Sequence, residues 1–336
     1  MGGKRSSSRL GVYRRARRRV PVSITAPKRR GRAGCRAERG TDMTILDTVT
    51  GANRAESSAT ASKWFSTNPD KAWGEKFFLS FVPVFLVYNT LMIKLGWLDV
   101  GNFWHITQNL AMWIPYLLIL PAVLRRNSGV AWYDSYWFKF NVYMTVFVFF
   151  VTYFHTEYFF QILGFRYSLP KVTINIDSYL VGPSEVTALA EHKKIPIGMY
   201  FNAIAFFTVY HTLAVIAMRR IKNTLTGASP TLQSVGWVII VAATAWFFGW
   251  AEPRFYNTNP EAAQVTWYID IQAMLKYGAF FYALYFVVSF PNIFRLDEKP
   301  DEPRWTISRC ILEASAVSMI SMLLLDLWGW FIGPIA

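Results

Sequence analysis

The chain has 336 residues, of which 53% are apolar and 17% aromatic, and its formal net charge is +14. The length alone would allow one or two soluble domains, but this apolar content indicates a membrane protein instead. The positive charge is local, because residues 1–40 contain 14 Lys or Arg residues and one acid, Glu38. The rest of the chain is close to neutral.

The first predicted element is a basic N-terminal extension over residues 1–63. Its Arg, Ser and Gly content, with few acids, predicts disorder. It could be an organellar transit peptide, an arm that binds anionic lipid, or a stretch upstream of a true start at Met43. The last interpretation is favoured because Met43 opens a more ordinary sequence. No folded nucleic-acid-binding domain accompanies the basic residues, so nucleic acid is not an expected partner.

Residues 64–336 are predicted to form an all-α, polytopic integral membrane helix bundle of about seven transmembrane helices. Each apolar stretch has about the 20 residues that a helix needs to cross a bilayer core. The predicted spans are 77–95, 104–124, 136–163, 196–218, 232–251, 273–294 and 307–331.

Basic residues predict the topology. They cluster before the first span and after the second, fourth and sixth spans, as in Lys71, Arg125, Arg219 and Arg295. The positive-inside rule then predicts a cytoplasmic N-terminus and a C-terminus on the opposite side. Two connections are long enough to hold structure. Residues 164–195 contain alternating segments that predict a hairpin or a re-entrant cap, whereas residues 252–272 are polar and rich in turns.

Few ionisable residues interrupt the spans, and such residues are costly in hydrocarbon and usually functional. Those within the spans or at their ends are His155, Glu157, His211, Glu252, Asp270, Glu313 and Asp326. The predicted topology gathers five of them at the outer end, all except His211 and Glu313. Structural alternatives remain: Glu252 and Asp270 could be solvated helix ends, and His211 could bond a carbonyl. Asp326 could pair with Arg309 or with a donor on a neighbouring span.

The residue inventory excludes several enzyme classes. Four histidines without paired boxes are too few for a membrane di-iron oxygenase, and no close His/Glu set suits zinc. Two distant cysteines, Cys35 and Cys310, give no disulfide framework or thiolate metal site. No P-loop, Gly-rich nucleotide loop or nucleophile elbow occurs. We therefore expect neither a metal nor another cofactor.

Five strings stand out along residues 64–336. They are NPDKAWGEKFFL at 68–79, DSYWFKFN at 134–141, YFFQILG at 158–164, FYALYFVVSFP at 281–291 and LDLW at 325–328. In this order they resemble motifs of the plant cycloeucalenol cycloisomerase family. The chain departs from that pattern at one place, where the family reads Trp-Thr-His and this chain has His155, Thr156 and Glu157.

The resemblance implies a cofactor-independent isomerase of sterol biosynthesis. Its reaction would open the 9β,19-cyclopropane ring of a cyclopropyl sterol such as cycloeucalenol and give a Δ8 sterol such as obtusifoliol. The resemblance also implies that His211, Glu252, Asp270 and Asp326 occupy positions where the family carries the same residue types. The departure at 155–157 leaves Glu157 without a role transferred from the family.

This reaction requires a proton delivered to carbon C19 and a hydrogen removed from C8. A carboxyl group kept neutral by burial is a suitable donor, and aromatic faces stabilise a cation without trapping it. The hypothesis is that Glu252 or Asp270 donates the proton, with His211 or Glu157 as the base or as a partner that tunes the donor. Because C19 and the departing hydrogen lie on one ring face, a single carboxyl group could perform both steps.

Two other functions remain open from the sequence. One is a sterol double-bond isomerase that acts on another skeleton, and the other is a non-catalytic membrane protein that binds or transports sterols. The sequence leaves open the preferred sterol and the oligomeric state. It also leaves open the compartment, which would be the endoplasmic reticulum in a eukaryote or the cytoplasmic membrane in a bacterium.

Overall fold

The computed structural model describes residues 63–179 and 192–336, so the predicted extension over residues 1–63 lies almost wholly outside the described residues. Within these ranges seven helices are long and apolar enough to cross a membrane, which confirms the predicted all-α bundle. Helices suit this setting because all their backbone polar groups are bonded within the segment. Their bounds are Pro69–Lys94 (α1), Asn102–Leu124 (α2), Tyr136–Ile162 (α3), Ile197–Thr224 (α4), Pro230–Asn257 (α5), Ile271–Phe294 (α6) and Ile307–Phe331 (α7).

Capping residues explain where several helices begin. Asn68 accepts a hydrogen bond from the backbone N–H of Asp70, and Pro69 occupies the first turn of α1. Ser229 caps α5 in the same manner, and Thr306 caps α7. Helix α1 therefore starts eight residues before the predicted span, which begins at 77. The charged residues of its first two turns lower the local hydropathy, so the apolar stretch begins later than the helix.

Helix α4 lies at the centre of the bundle. In its most apolar window 78% of the residues are buried, against 22% for α5. Helix α4 packs against α1, α2, α3, α5 and α6, while α3 also packs on α7 and α5 on α6. Helix α5 thus presents most of its surface to the surroundings of the bundle.

The long connections pair in two ways. For residues 164–195 the sequence predicts a hairpin or a re-entrant cap, and the structure shows an isolated antiparallel bridge between Asn175 and Pro196. Ile176 N–H bonds to Ile195 O at 3.1 Å and Ile197 N–H to Ile174 O at 3.0 Å beside it. An additional pairing was not predicted. Strand β1 (Phe165–Tyr167) pairs antiparallel with strand β2 (Thr266–Tyr268), which lies in the other long connection.

The basic residues that predict the topology do gather at one end of the bundle. Arg125 pairs with Asp70 at 2.6 Å, and Arg219 pairs with Glu75 at 2.6 Å. Lys71 pairs with Glu298 at 3.0 Å. Burying these cations requires carboxylate partners, and the neighbouring acids supply them.

Candidate active site

A partly open cavity of about 130 Å³ lies where α3, α4, α5 and α6 approach the two long connections. Thr152 and Phe159 of α3, Asn202 and Phe207 of α4, and Tyr282 of α6 contribute to its walls. Helix α3 widens into a π-helical turn at Val151–His155, beside this wall. Such turns are frequent at functional sites.

The two-stranded sheet forms one wall of the cavity. Phe165 and Tyr167 of β1 line it together with their cross-strand partners Tyr268 and Thr266. Alternate residues of a strand share one face, so this four-residue set lies on the same side of the sheet. The wall therefore depends on a pairing between two connections that are far apart in sequence.

The phenols of this wall are neutral. Burial raises the pKa of Tyr167 and of Tyr268, and the nearby carboxyl group of Glu252 raises both further. Both tyrosines therefore keep their protons at physiological pH. The wall offers hydrogen-bond donors and aromatic surface rather than a phenolate nucleophile.

Glu252 of α5 supplies the only carboxyl group among the described residues that line the cavity. Its Oε2 accepts hydrogen bonds from the hydroxyl of Tyr282 at 2.5 Å and from that of Tyr210 at 3.0 Å. Tyr210 belongs to α4 and Tyr282 to α6, so three helices meet at this carboxyl group. No residue in the described part of the chain donates a hydrogen bond to Oε1.

Aromatic rings surround this carboxyl group. Tyr282 meets Phe159 edge to face with ring centroids 5.0 Å apart, and Tyr285 lies 5.6 Å from Phe159. Tyr210 stacks on Phe248 at 4.8 Å. Ring faces attract a cation that lies within about 6 Å of the centroid. The cavity thus combines one acid–base group with surfaces that stabilise positive charge.

His211 is buried one residue after Tyr210 but does not line the cavity. Its Nδ1–H donates to the carbonyl of Phe207 at 2.7 Å, which leaves Nε2 to accept from the hydroxyl of Ser289 at 2.9 Å. These contacts match the structural alternative in which His211 bonds a carbonyl.

Glu157 and Asp270 also lie outside the lining. Oε1 of Glu157 accepts a hydrogen bond from Ser178 at 2.8 Å, and the residue is buried. Asp270 is exposed and caps the start of α6, where Oδ1 accepts from the N–H of Ala273 at 2.9 Å. The structure thus does not bring the four candidate residues into one constellation, and only Glu252 reaches the cavity.

The other ionisable residues of the spans have structural partners. Asp326 accepts a hydrogen bond from Tyr158 of α3 at 3.1 Å, so its partner is a neighbouring span and not Arg309. Arg309 instead pairs with Glu313 at 3.3 Å. The ring of His155 stacks on Tyr285 with centroids 5.1 Å apart.

The two tyrosines that hold Glu252 are not among the site residues that the sequence predicts. The chain has 17 tyrosines, and a tyrosine in an apolar span ordinarily indicates packing or an interfacial position. A weak signal does exist, since Tyr210 lies beside the candidate His211 and Tyr282 lies inside the FYALYFVVSFP string. No group of three potential metal ligands from His, Cys, Asp and Glu occurs within residues 63–179 and 192–336.

Comparison with known proteins identifies the family. The chain is 30% identical over 285 residues to the cycloeucalenol cycloisomerase of Arabidopsis thaliana, a match that spans 83% of this chain and 92% of that protein. No protein-family model matches the chain, and no solved structure shows significant similarity to it. The extent and identity of this match show that the chain belongs to the cycloeucalenol cycloisomerase family.

Proposed function

We propose that this membrane protein is an isomerase that opens the 9β,19-cyclopropane ring of a cycloeucalenol-like sterol and gives a Δ8 sterol. The name of the Arabidopsis relative supports an isomerase acting on such a sterol. The observation that carries the proposal is the Glu252 carboxyl group, held by two tyrosine hydroxyls inside an aromatic cavity. The working membrane would be that of sterol biosynthesis, the endoplasmic reticulum in a eukaryote.

The first step is a proton transfer to carbon. Protonated Glu252 delivers its hydrogen to C19, and the electrons of the C9–C19 bond form the new C19–H bond. The ring opens, C19 becomes a methyl group on C10, and C9 carries the positive charge. The faces of Tyr282 and Phe159 stabilise that charge without forming a bond to it.

The second step returns the proton. The Glu252 carboxylate removes the hydrogen at C8, and the electrons of that C–H bond form the C8=C9 double bond. One carboxyl group suffices because C19 and the C8 hydrogen lie on the same ring face. The absence of another acid from the described lining supports the use of one carboxyl group for both steps. Tyr210 and Tyr282 stabilise the carboxylate between the steps by donating to Oε2.

The depth of Glu252 suits a sterol that enters from the bilayer. Glu252 lies five residues before the end of α5 at Asn257, about 7.5 Å along a helix that rises 1.5 Å per residue. A sterol with its 3-hydroxyl at the interface places its cyclopropane ring slightly deeper than the hydroxyl. The reacting carbons and the carboxyl group then meet at a similar level.

The cavity volume adds a requirement. At about 130 Å³ it is smaller than the roughly 300–1,000 Å³ of typical small-molecule pockets. The ring system must therefore displace side chains at the open edge as it enters. In this proposal the sterol itself completes the cavity and excludes the water that would hydrate the C9 cation.

The test replaces Glu252 by Gln, a neutral isostere whose amide protons are not acidic enough to be transferred to carbon. Membranes that contain the Glu252→Gln protein are incubated with a cyclopropyl sterol, and the products are measured by mass spectrometry. We expect turnover to fall by at least about 100-fold, the lower range of general acid–base catalysis. Asp270→Asn is the matched control, since it neutralises an exposed carboxyl group that lies outside the cavity.

The outcomes separate the possibilities. Full activity of Glu252→Gln would remove the proposed proton donor, whereas loss of activity in Asp270→Asn alone would move that role to Asp270. A wild-type protein that leaves the cyclopropyl sterol unchanged but isomerises a Δ8 sterol would support the double-bond isomerase. A bound sterol recovered unchanged would support the binding or transport protein.

A further inference from the structure

A second pocket, of about 660 Å³, lies at the opposite end of α5 from Glu252. It is formed where α4 ends, α5 begins, α6 ends and α7 begins. We call it the basic pocket, because Lys222, Arg295, Lys299 and Arg309 line it. These cations stand at the boundaries of the spans, which is the level of lipid headgroups.

Two of the four cations lack an acidic partner among the residues that the structure describes. Lys299 pairs with Glu302 at 2.5 Å, and Arg309 pairs with Glu313 at 3.3 Å. Within the described residues, no carboxylate lies within ion-pair distance of Lys222 or Arg295.

The acids of the pocket do not offset these two charges. Glu302 is occupied by Lys299, and Glu298 is occupied by Arg219 and by Lys71, which lies 3.0 Å away. Neither Arg219 nor Lys71 lines the pocket. The uncompensated charge at the pocket is therefore positive and comes from Lys222 and Arg295.

An apolar wall adjoins the cations. Trp237 of α5 packs edge to face on Phe294 with ring centroids 5.0 Å apart, and Lys222 Nζ lies 5.1 Å from the centroid of the same Phe294 ring. Val238, next to Trp237, is 65% exposed. Helix α5 continues from here along the poorly buried side of the bundle. A ligand with an anionic head and apolar chains would match both parts.

We propose that the basic pocket binds an anionic phospholipid, with its phosphate between Lys222 and Arg295 and its acyl chains along α5. Charge sign argues against the N-terminal segment of this chain as the occupant, since residues 1–40 are strongly basic. A free phosphate ion would leave the Trp237 and Val238 wall without a partner. Basic pockets between transmembrane helices at this level are known to hold anionic headgroups.

The test measures lipid preference on the full-length protein in detergent micelles. Native mass spectrometry follows binding from an equimolar mixture of phosphatidylserine and phosphatidylcholine. The wild type is expected to retain phosphatidylserine preferentially. Each basic residue near an anionic lipid contributes about 1 kcal/mol, or roughly fivefold in binding. The double variant Lys222→Ala/Arg295→Ala should therefore lose about 30-fold in preference.

Arg126→Ala is the matched control, because it removes an exposed cation at the same end of the bundle but outside the pocket. Its preference should equal that of the wild type. The proposal is overturned if the double variant keeps its preference, or if Arg126→Ala loses as much, which would indicate general surface charge. Displacement of the lipid by millimolar inorganic phosphate would instead identify a site for the free anion. Lipid-free thermal stability confirms that each variant is folded.

Discussion

The two oxygens of the Glu252 carboxyl group have different surroundings. Oε2 accepts both tyrosine hydroxyls, whereas Oε1 receives no hydrogen bond from a described residue. Donors on Oε2 favour the carboxylate that remains after the proton has left. In the proposed mechanism, Oε1 is therefore the oxygen that carries the proton toward the substrate and accepts it back. The tyrosines act through Glu252 and are positioning residues in this proposal.

Removing either tyrosine hydroxyl should slow the reaction, and the loss should be larger for the hydroxyl that lies closer to Oε2 of Glu252. A hydrogen bond to a charged group contributes about 1.5–3 kcal/mol, which corresponds to roughly 10- to 150-fold in rate. We expect Tyr282→Phe, which loses the 2.5 Å bond, to reduce kcat more than Tyr210→Phe, which loses the 3.0 Å bond. Turnover of a cyclopropyl sterol by each variant, measured in membranes over a range of substrate concentrations, gives kcat and KM.

Tyr256→Phe provides the control for this pair. Tyr256 lines the cavity as Tyr282 does, but its hydroxyl donates to Asn89 at 3.2 Å and not to Glu252. Its kcat should stay within about threefold of the wild type. Equal losses in all three tyrosine variants would mean that the hydroxyls serve the shape of the cavity and not the carboxylate.

At the level of single residues the sequence predicts Glu252 for a physical reason, since an acid in an apolar span is costly and therefore conspicuous. The same reasoning selects Asp270, Glu157 and His211 equally, because it cannot see which acids find a helix cap or a hydroxyl partner. The cost of burial does not single out Tyr210 and Tyr282, because placing a phenol in an aromatic-rich span costs little free energy. Only the packing of three helices distinguishes them.

A close approach of helices α5 and α6 brings the Glu252 carboxyl group and the Tyr282 hydroxyl together. Gly249 lies on α5 one turn before Glu252, and an added Cβ there would come within 2.8 Å of the carbonyl of Ala279 and 3.1 Å of the Cβ of Tyr282. The absence of a side chain at this position therefore sets the distance between α5 and α6. It also sets the distance between Tyr282 and Glu252.

Gly249→Ala should push the two helices apart and impair catalysis without touching the chemistry. The backbone carbonyl of Ala279 cannot rotate away from the new methyl group as a flexible side chain could. Helix α6 must therefore move away from α5, and Tyr282 moves with it. We expect a loss of kcat comparable to that of Tyr282→Phe, measured by sterol turnover. Gly227→Ala is the control, because no atom in the described part of the chain lies within 4 Å of a Cβ at that position. Wild-type activity in Gly249→Ala would show that the helix spacing tolerates a methyl group.

The two long connections contain one pairing that the sequence indicates and one that it does not. The alternation at 172–176 predicts a hairpin or a re-entrant cap, and the structure shows an isolated antiparallel bridge between 174–176 and 195–197. Strands β1 and β2 have three residues each, below the four to eight that a recognisable strand pattern needs. Their pairing is also non-local, so no turn signal links them. The wall of the cavity is consequently the part of the site that the sequence predicts least.

One buried ion-pair network joins segments that are distant in the sequence. Arg219 of α4 bonds Glu75 of α1 at 2.6 Å and contacts Glu298 in the α6–α7 connection, which also pairs with Lys71. The positive-inside rule correctly groups these basic residues at one end. It does not predict their burial, because it treats each cation as solvated, whereas Lys71 is 0% exposed.

Arg219→Met should destabilise the protein strongly. The substitution leaves Glu75, which is 2% exposed, without its closest cation, and breaking one partner of a buried ion pair costs about 3–5 kcal/mol. The free energy of unfolding, measured by denaturant titration in micelles, should fall by that amount. Lys299→Met removes an exposed cation, whose ion pair contributes at most about 1 kcal/mol, and serves as the comparison. Similar losses in the two variants would contradict the network.

The same network predicts how stability depends on pH. Burial opposes the ionisation of Glu298, but the charges of Lys71 and Arg219 and their hydrogen bonds outweigh it and hold its pKa below the ordinary 4.5. A carboxyl group whose pKa is depressed in the folded state contributes stability above its unfolded pKa. That contribution is lost as the pH falls through the folded value. The pairing of Glu298 should therefore be intact at neutral pH and weaken only below about pH 4.5.

Glu298→Gln isolates this contribution, because the amide cannot titrate. Unfolding midpoints of the wild type and of the variant, measured in micelles from pH 7 to pH 3.5, should lie furthest apart at neutral pH and converge as the pH falls below 4.5. Acid protonates Glu298 in the wild type and thereby makes it resemble the neutral variant. A constant difference across the range would mean that the Glu298 carboxylate does not stabilise the fold through its charge. In that case the link between α4 and the α6–α7 connection would depend on packing alone.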